Sequence, residues 1–205
     1  VDPAVDALVD TSRYNTGVEL EQADKLDSEL AVALSEARLI KDAIEVENLQ
    51  RSVDMTVKGF EEVIRALPKA KEHHRGERVV ETAFFSVART DDNDLGYDTI
   101  AACGNNATIL HWIRNNGTVD DGKLLLLDAG VEDDTLYTAD VTRTFPVNGK
   151  FTEVQAKVYN AVLDAADAAF AVAKPGTKFY EIHEAAMNVL AHRLEEWGLL
   201  PVSAD

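Results

Sequence analysis

The chain has 205 residues, and its 37 Asp and Glu outnumber 20 Lys and Arg for a formal net charge of −17. Such a surplus argues against nucleic acid as a partner, because phosphate contacts need clustered Lys and Arg. It argues equally against an anionic membrane surface, and no stretch approaches the roughly 20 apolar residues that span a bilayer. A hydrophobic content of 46% suffices for a packed core. The single cysteine, Cys103, excludes an internal disulfide framework and a cysteine-rich zinc site. The N-terminus lacks the basic and apolar regions of a signal peptide, so the cytoplasm is the expected compartment. It also lacks an initiator Met, which points to a start inside a longer gene product.

In chain order, residues 1–24 show no sustained hydrophobic period and carry Pro3 and Asn15-Thr16-Gly17, so they read as a connector or the end of a preceding domain. Leu26, Leu30 and Leu34 predict a helix over about 24–34. Asp42-Ala43-Ile44-Glu45 has capping-box form. Leu49, Val53, Val57, Phe60, Ile64 and Leu67 then place one apolar stripe on a long helix, with Pro68 fitting its end. A shorter amphipathic segment follows at 77–88. Asp91-Asp92-Asn93-Asp94 reads as a turn, Tyr97 to Cys103 as a strand, Lys123 to Asp128 as a buried strand, and Tyr137 to Phe145 as a third, closed by Pro146 and Asn148-Gly149. Thr152-Glu153-Val154-Gln155 opens a helix that stops near Pro175-Gly176, and a last helix spans about 179–197. Helices flanking a strand cluster indicate α+β rather than a regular alternation.

The chemistry lies in two of those strands. Asp128 ends an apolar run, an expensive place for an unpaired carboxylate. Period-two alternation puts Thr138, Asp140, Thr142 and Thr144 on one strand face. If residues 131–136 turn the chain back, Asp128 and Asp140 reach one point. Two such carboxylates need a cation or a shared proton between them, and a hard divalent ion suits oxygen ligands. Spacing alone leaves the choice open.

The run Asp128-Ala-Gly130, then Tyr137-Thr-Ala-Asp140-Val-Thr-Arg143-Thr-Phe-Pro-Val-Asn-Gly-Lys-Phe151, strongly resembles the Xaa-Pro aminopeptidases (aminopeptidase P). These belong to the pita-bread metallopeptidases of family M24, alongside prolidase and methionine aminopeptidase. Gly104-Asn-Asn-Ala-Thr-Ile-Leu-His111-Trp resembles the family's segment carrying an active-site histidine. Gln155, Tyr159 and Lys174-Pro175-Gly176 resemble the next helix and its stop, and Arg38-Leu-Ile-Lys41-Asp42 resembles the start of the catalytic domain. The resemblance implies that Asp128 and Asp140 are metal ligands for two divalent ions, Mn²⁺ foremost, with Asp140 bridging both. It implies that Thr142 supports them and that His111 contacts the substrate and assists proton transfer. The substrate implied is a peptide with proline at its second position. Prolidase activity is the nearest alternative, and a non-catalytic pita-bread binding module, which typically lacks the Asp pair, is the other.

Two departures stand out. The interval between Asp128 and Asp140 is about one residue longer than usual, within Glu132-Asp133-Asp134-Thr135, where a hairpin tip absorbs an insertion. The family's remaining ligands, a His and two Glu, come from a later half-domain with no counterpart here. His183 and His192 do not match that motif, and Met187 stands where a zincin's second His belongs. His73 and His74 read as solvated. The expectation is therefore a tail or linker over 1–33 and the first half of a pita-bread domain, helices on a curved antiparallel sheet, over 34–205. Such a half, inactive alone, exposes apolar surface and a sheet edge. Its partner would be the missing half or another chain, a homodimer included.

Overall fold

The computed structural model describes residues 3–17 and 19–204, so Val1, Asp2, Val18 and Asp205 lie outside the described residues. Two helices come first, α1 (Pro3–Asn15) and α2 (Leu20–Leu39). The segment read as a connector or the end of a preceding domain is helical at α1. Pro3 at its first position presets the helical φ and lacks an N–H that the first turn would leave free anyway. No residue of α1 is buried, so no apolar stripe is needed. Arg13 Nη2 donates to both carboxylate oxygens of Asp27, at 2.7 and 2.6 Å, and ties α1 to α2.

Asp42 caps α3 (Ala43–Glu72) as the capping box requires. Its Oδ1 accepts from the N–H groups of Ile44 and Glu45, while Glu45 Oε2 accepts from the Asp42 N–H at 2.7 Å. The helix does not stop at Pro68 but runs on to Glu72. Proline removes one helical hydrogen bond there. Leu67 and Ala70, packed into the core on either side of it, hold the last turn in place. α4 (Gly76–Asp91) lies against α3, with the Phe84 ring fully buried and edge-on to Phe60 at 5.9 Å.

The strands form two antiparallel sheets. β2 (Ile100–Cys103), β3 (Leu124–Ala129) and β5 (Val141–Pro146) pair in the order β2-β3-β5. The two-residue strands β1 (Asp94–Leu95) and β4 (Val131–Glu132) pair separately. β1 starts at Asp94, the last residue of the segment read as a turn. β2 and β5 start later than the apolar pattern suggested. For β5 the reason is visible: a hairpin consumes residues 133–139, closed by Asp133 N–H to Tyr137 O at 2.9 Å and Ala139 N–H to Val131 O at 3.1 Å. Along β3, Leu125, Leu127 and Ala129 point into a core shared with Val63, Val80 and Phe84, while Leu124, Leu126 and Asp128 occupy the opposite, half-buried face.

Thr152 caps α5 (Glu153–Val172) through a second capping box, and Gln155 Nε2 also donates to Gly122 O at 2.9 Å, tying the helix to the turn before β3. α5 packs on α6 (Phe179–Glu196), where Arg193 pairs with Asp164 at 3.0 Å. Phe170 and Phe179 are 80% and 85% exposed. The architecture is α+β, and no helix among the described residues is long and apolar enough to cross a membrane.

Candidate metal centre

Asp128 and Asp140 reach the same point by different routes. Asp128 sits on the half-buried face of β3, directly opposite Ile100 on β2 and Thr142 on β5. Asp140 is not inside a strand; it is the residue just before β5. Two positions ahead of Thr142, it keeps that strand's facing and projects beside Asp128. The chain can pass this closely because residue 130 is glycine. A Cβ there would collide with the Ala139 carbonyl oxygen, so any side chain would push the Asp140 segment away from β3.

The convergence is recorded by a third residue, Tyr97. Its phenol oxygen lies 2.5 Å from Asp128 Oδ1 and 3.0 Å from Asp140 Oδ1. One hydroxyl carries one proton, so the shorter contact is the donation and the phenol satisfies Asp128 first. Burial, then the hydrogen bonds and charges of Asp128 and Asp140, push the phenol well above its ordinary value, which keeps the proton on it. Nothing in the sequence around Tyr97 distinguishes it from a strand-leading aromatic residue. Its role emerges only when segments 31 and 43 residues apart meet.

His111 lies in the turn after the short 3₁₀ helix Gly104–Thr108, exposed. It lines, with Tyr97, Asp98, Asp128, Asp140 and the apolar Ile100 and Ile113, one cleft of about 420 Å³. His73, His74, His183 and His192 do not line it.

Both acid side chains offer hard oxygen donors, which suit Mg²⁺- or Mn²⁺-type ions over thiophilic ones. The donor set fits a divalent centre in kind but is short in number. Among the described residues, no group of three or more His, Cys, Asp or Glu is placed to hold a metal ion. The hairpin between the two acids is firmly tethered: Tyr137 donates its hydroxyl to Glu45 Oε1 at 2.7 Å, Ser52 Oγ donates to Tyr137 O at 2.7 Å, and Val131 N–H donates to Thr56 Oγ1 at 2.9 Å. These bonds fix the approach of Asp140 from the α3 side.

Comparison with known proteins identifies the family. The profile of metallopeptidase family M24 matches residues 47–200. Xaa-Pro aminopeptidase 1 of Streptomyces coelicolor is 50% identical over 191 residues, which are 91% of this chain and 38% of that protein. Xaa-Pro aminopeptidase 2 of the same organism is 47% identical over 205 residues, 100% of this chain and 41% of that protein. The solved structure of zinc-substituted Escherichia coli aminopeptidase P in complex with product superposes with a TM-score of 0.73 at 31% identity, over 82% of this chain and 38% of that one. The chain thus spans about two fifths of the length of the curated relatives it matches. With its antiparallel sheet, its flanking helices and its paired aspartates, the chain belongs to metallopeptidase family M24 and has the pita-bread fold of aminopeptidase P over the part that it covers.

Proposed function

We propose that the full-length protein is a metal-dependent aminopeptidase that releases the N-terminal residue of peptides with proline at the second position. The observation that carries this reading is the meeting of Asp128 and Asp140 at one phenol oxygen, in a cleft that His111 also lines, in a chain half identical to a Streptomyces Xaa-Pro aminopeptidase. In this reading, residues 34–205 are the first part of the catalytic domain and residues 1–33 lead into it. Asp128 and Asp140 hold a pair of divalent ions, Mn²⁺ the expected species. When bound, such ions polarise a peptide carbonyl as Lewis acids.

The chain's own residues do the rest. The Tyr97 hydroxyl orients the Asp128 carboxylate. Thr142, opposite Asp128 on β5, presents its hydroxyl on the same sheet face and supports the ligands. His111 meets the substrate from the loop side of the cleft and holds or moves a proton at an imidazole nitrogen, a contribution of about 10²–10⁴-fold for a well-placed general acid or base. Two carboxylates are too few donors for a complete centre, so the 205-residue chain alone is expected to be inactive. The exposed Phe170 and Phe179 support a surface that the rest of the protein covers.

The test uses the full-length protein with Mn²⁺, a tripeptide with proline second, and the matching dipeptide. The expected outcome is release of the first residue from the tripeptide, abolished by chelation and by Asp140→Asn together with loss of bound metal. Cleavage confined to the dipeptide would assign it as a prolidase instead. Unchanged activity and metal content in Asp140→Asn would overturn the metallopeptidase reading.

A further inference from the structure

Glu77 is a fully buried carboxylate in the first turn of α4, and the groups that hydrogen-bond its oxygens are uncharged N–H donors rather than cations. Four N–H groups converge on it instead. Oε1 accepts from the Cys103 backbone N–H and from Asn106 Nδ2, both at 2.8 Å. Oε2 accepts from Trp112 Nε1 at 2.8 Å and from the Gly117 N–H at 2.6 Å. The Glu77 N–H returns a bond to Gly117 O at 3.1 Å. A Cβ on residue 117 would collide with Asn106 Nδ2 and come within 2.8 Å of Glu77 Oε2, so this closeness also requires glycine.

All four donors belong to one segment, from the end of β2 to Gly117, and His111 sits in its middle beside Trp112. Asn115, fully buried, ties the far end of the segment to β2 and the residue before it: its Oδ1 accepts from the Ala101 N–H at 3.0 Å and its Nδ2 donates to Thr99 O at 2.8 Å. Around His111 itself, Ile109, Leu110 and Ile113 are 49%, 84% and 51% exposed, so the Glu77 bond to Trp112 is the buried side-chain tie next to it. A carboxylate supplies four acceptor sites and no donor, which is what four converging N–H groups demand. A desolvated carboxylate anchors such donors more strongly than a neutral acceptor does.

We propose that Glu77 is the positioning residue of the site: a buried anchor that fixes the 103–117 segment and thereby presents His111 to the cleft holding Asp128 and Asp140. This inference rests on the aminopeptidase reading for its kinetic consequence. Its structural content, that one carboxylate holds the His111 segment, stands apart from that reading.

The test is a double-mutant cycle in the full-length protein, combined with hydrogen exchange read by mass spectrometry. Glu77→Gln keeps the shape but replaces one acceptor by an NH₂ group that faces at least one N–H. It should lower kcat about 10²-fold, the scale of a displaced catalytic group, while KM moves less than about threefold. In a His111→Ala background the same change should alter kcat less than about twofold, because the group it positions is gone. Amides of 103–117 should exchange faster, with those of α3 and β3 unchanged. If Glu77→Gln does not fold, Trp112→Phe, which removes one donor and leaves Glu77 intact, should give a smaller kcat loss that also vanishes in the His111→Ala background. Unchanged kcat in the variant that folds, an equal loss with and without His111, or faster exchange throughout the chain would overturn the proposal. A wild-type protein that cleaves no Xaa-Pro peptide removes the aminopeptidase reading; the exchange comparison then still decides whether Glu77 holds the segment.

Discussion

At Tyr97 a single proton is asked to serve two carboxylates. The phenol is half-buried, its proton is held by Asp128 at 2.5 Å, and Asp140 waits at 3.0 Å. Tyr97→Phe keeps the ring and removes that proton, leaving two like charges with nothing between them. In metal-free protein this should cost about 2 kcal/mol, the range for a hydrogen bond to a charged group, read from urea unfolding; a loss too small to measure would mean that the phenol contributes little. The site's single-residue features differ in how far the sequence shows them. Asp128 and Asp140 are legible, because strand alternation and an intervening turn are local properties. Tyr97 and Glu77 are not. Each sits in an ordinary pattern, and its partners lie about 30–40 residues away in sequence.

Elements tell the same story through their ends. The capping boxes at Asp42 and Thr152 are readable because both reciprocal bonds span three residues. Pro68 misleads: taken alone it ends a helix, yet α3 continues past it because the turn beyond is packed. Pro68→Ala should restore the missing hydrogen bond and raise stability by about 2 kcal/mol, after the greater freedom of the unfolded chain is deducted. A thermal midpoint that falls would show that the proline ring is itself a needed contact. At the α3–α4 crossing, a Cβ on residue 59 would stand 2.5 Å from Phe84 Cε2. The Phe84 ring is fully buried and cannot swing aside. Gly59→Ala is therefore expected to destabilise by about 1–3 kcal/mol through overpacking, although alanine is the better helix former. An unchanged denaturation midpoint would mean that the two helices separate freely. The two-residue strands β1 and β4 leave no periodic signal at all, since each exists only by pairing with the other.

Across the whole molecule, acid titration should report how the hairpin before Asp140 is tied to α3. The Tyr137 hydroxyl, then the Asp42 N–H, hold the Glu45 carboxyl below its ordinary value. Burial pushes the Asp133 carboxyl up, but the Thr135 hydroxyl and N–H, the Tyr137 N–H and the Arg51 charge outweigh it and leave Asp133 lowered. For both groups the unfolded chain binds the proton more readily. Their stabilisation is therefore complete above the unfolded value and is lost as pH falls through the folded one. Asp92, raised chiefly by burial, acts with the opposite sign, losing stability as pH rises. The net expectation is a urea midpoint that falls from about pH 5 to about pH 3, with a shallower fall in Glu45→Gln; an identical slope in that variant would remove Glu45 from the account.

The sequence by itself determined what depends on neighbours a few residues apart: the α+β class, the starts of α3 and α5, the apolar alternation of β3, and two aspartates able to share a face. Even Asp140, one residue outside its strand, kept the predicted facing, because pleating carries direction past the last ladder bond. Tertiary structure alone decided the continuation past Pro68, the phenol bridging the acids and the buried carboxylate behind His111. Those depend on strand register and on which groups burial strips of water. Both are set by contacts between distant segments, which no local pattern encodes.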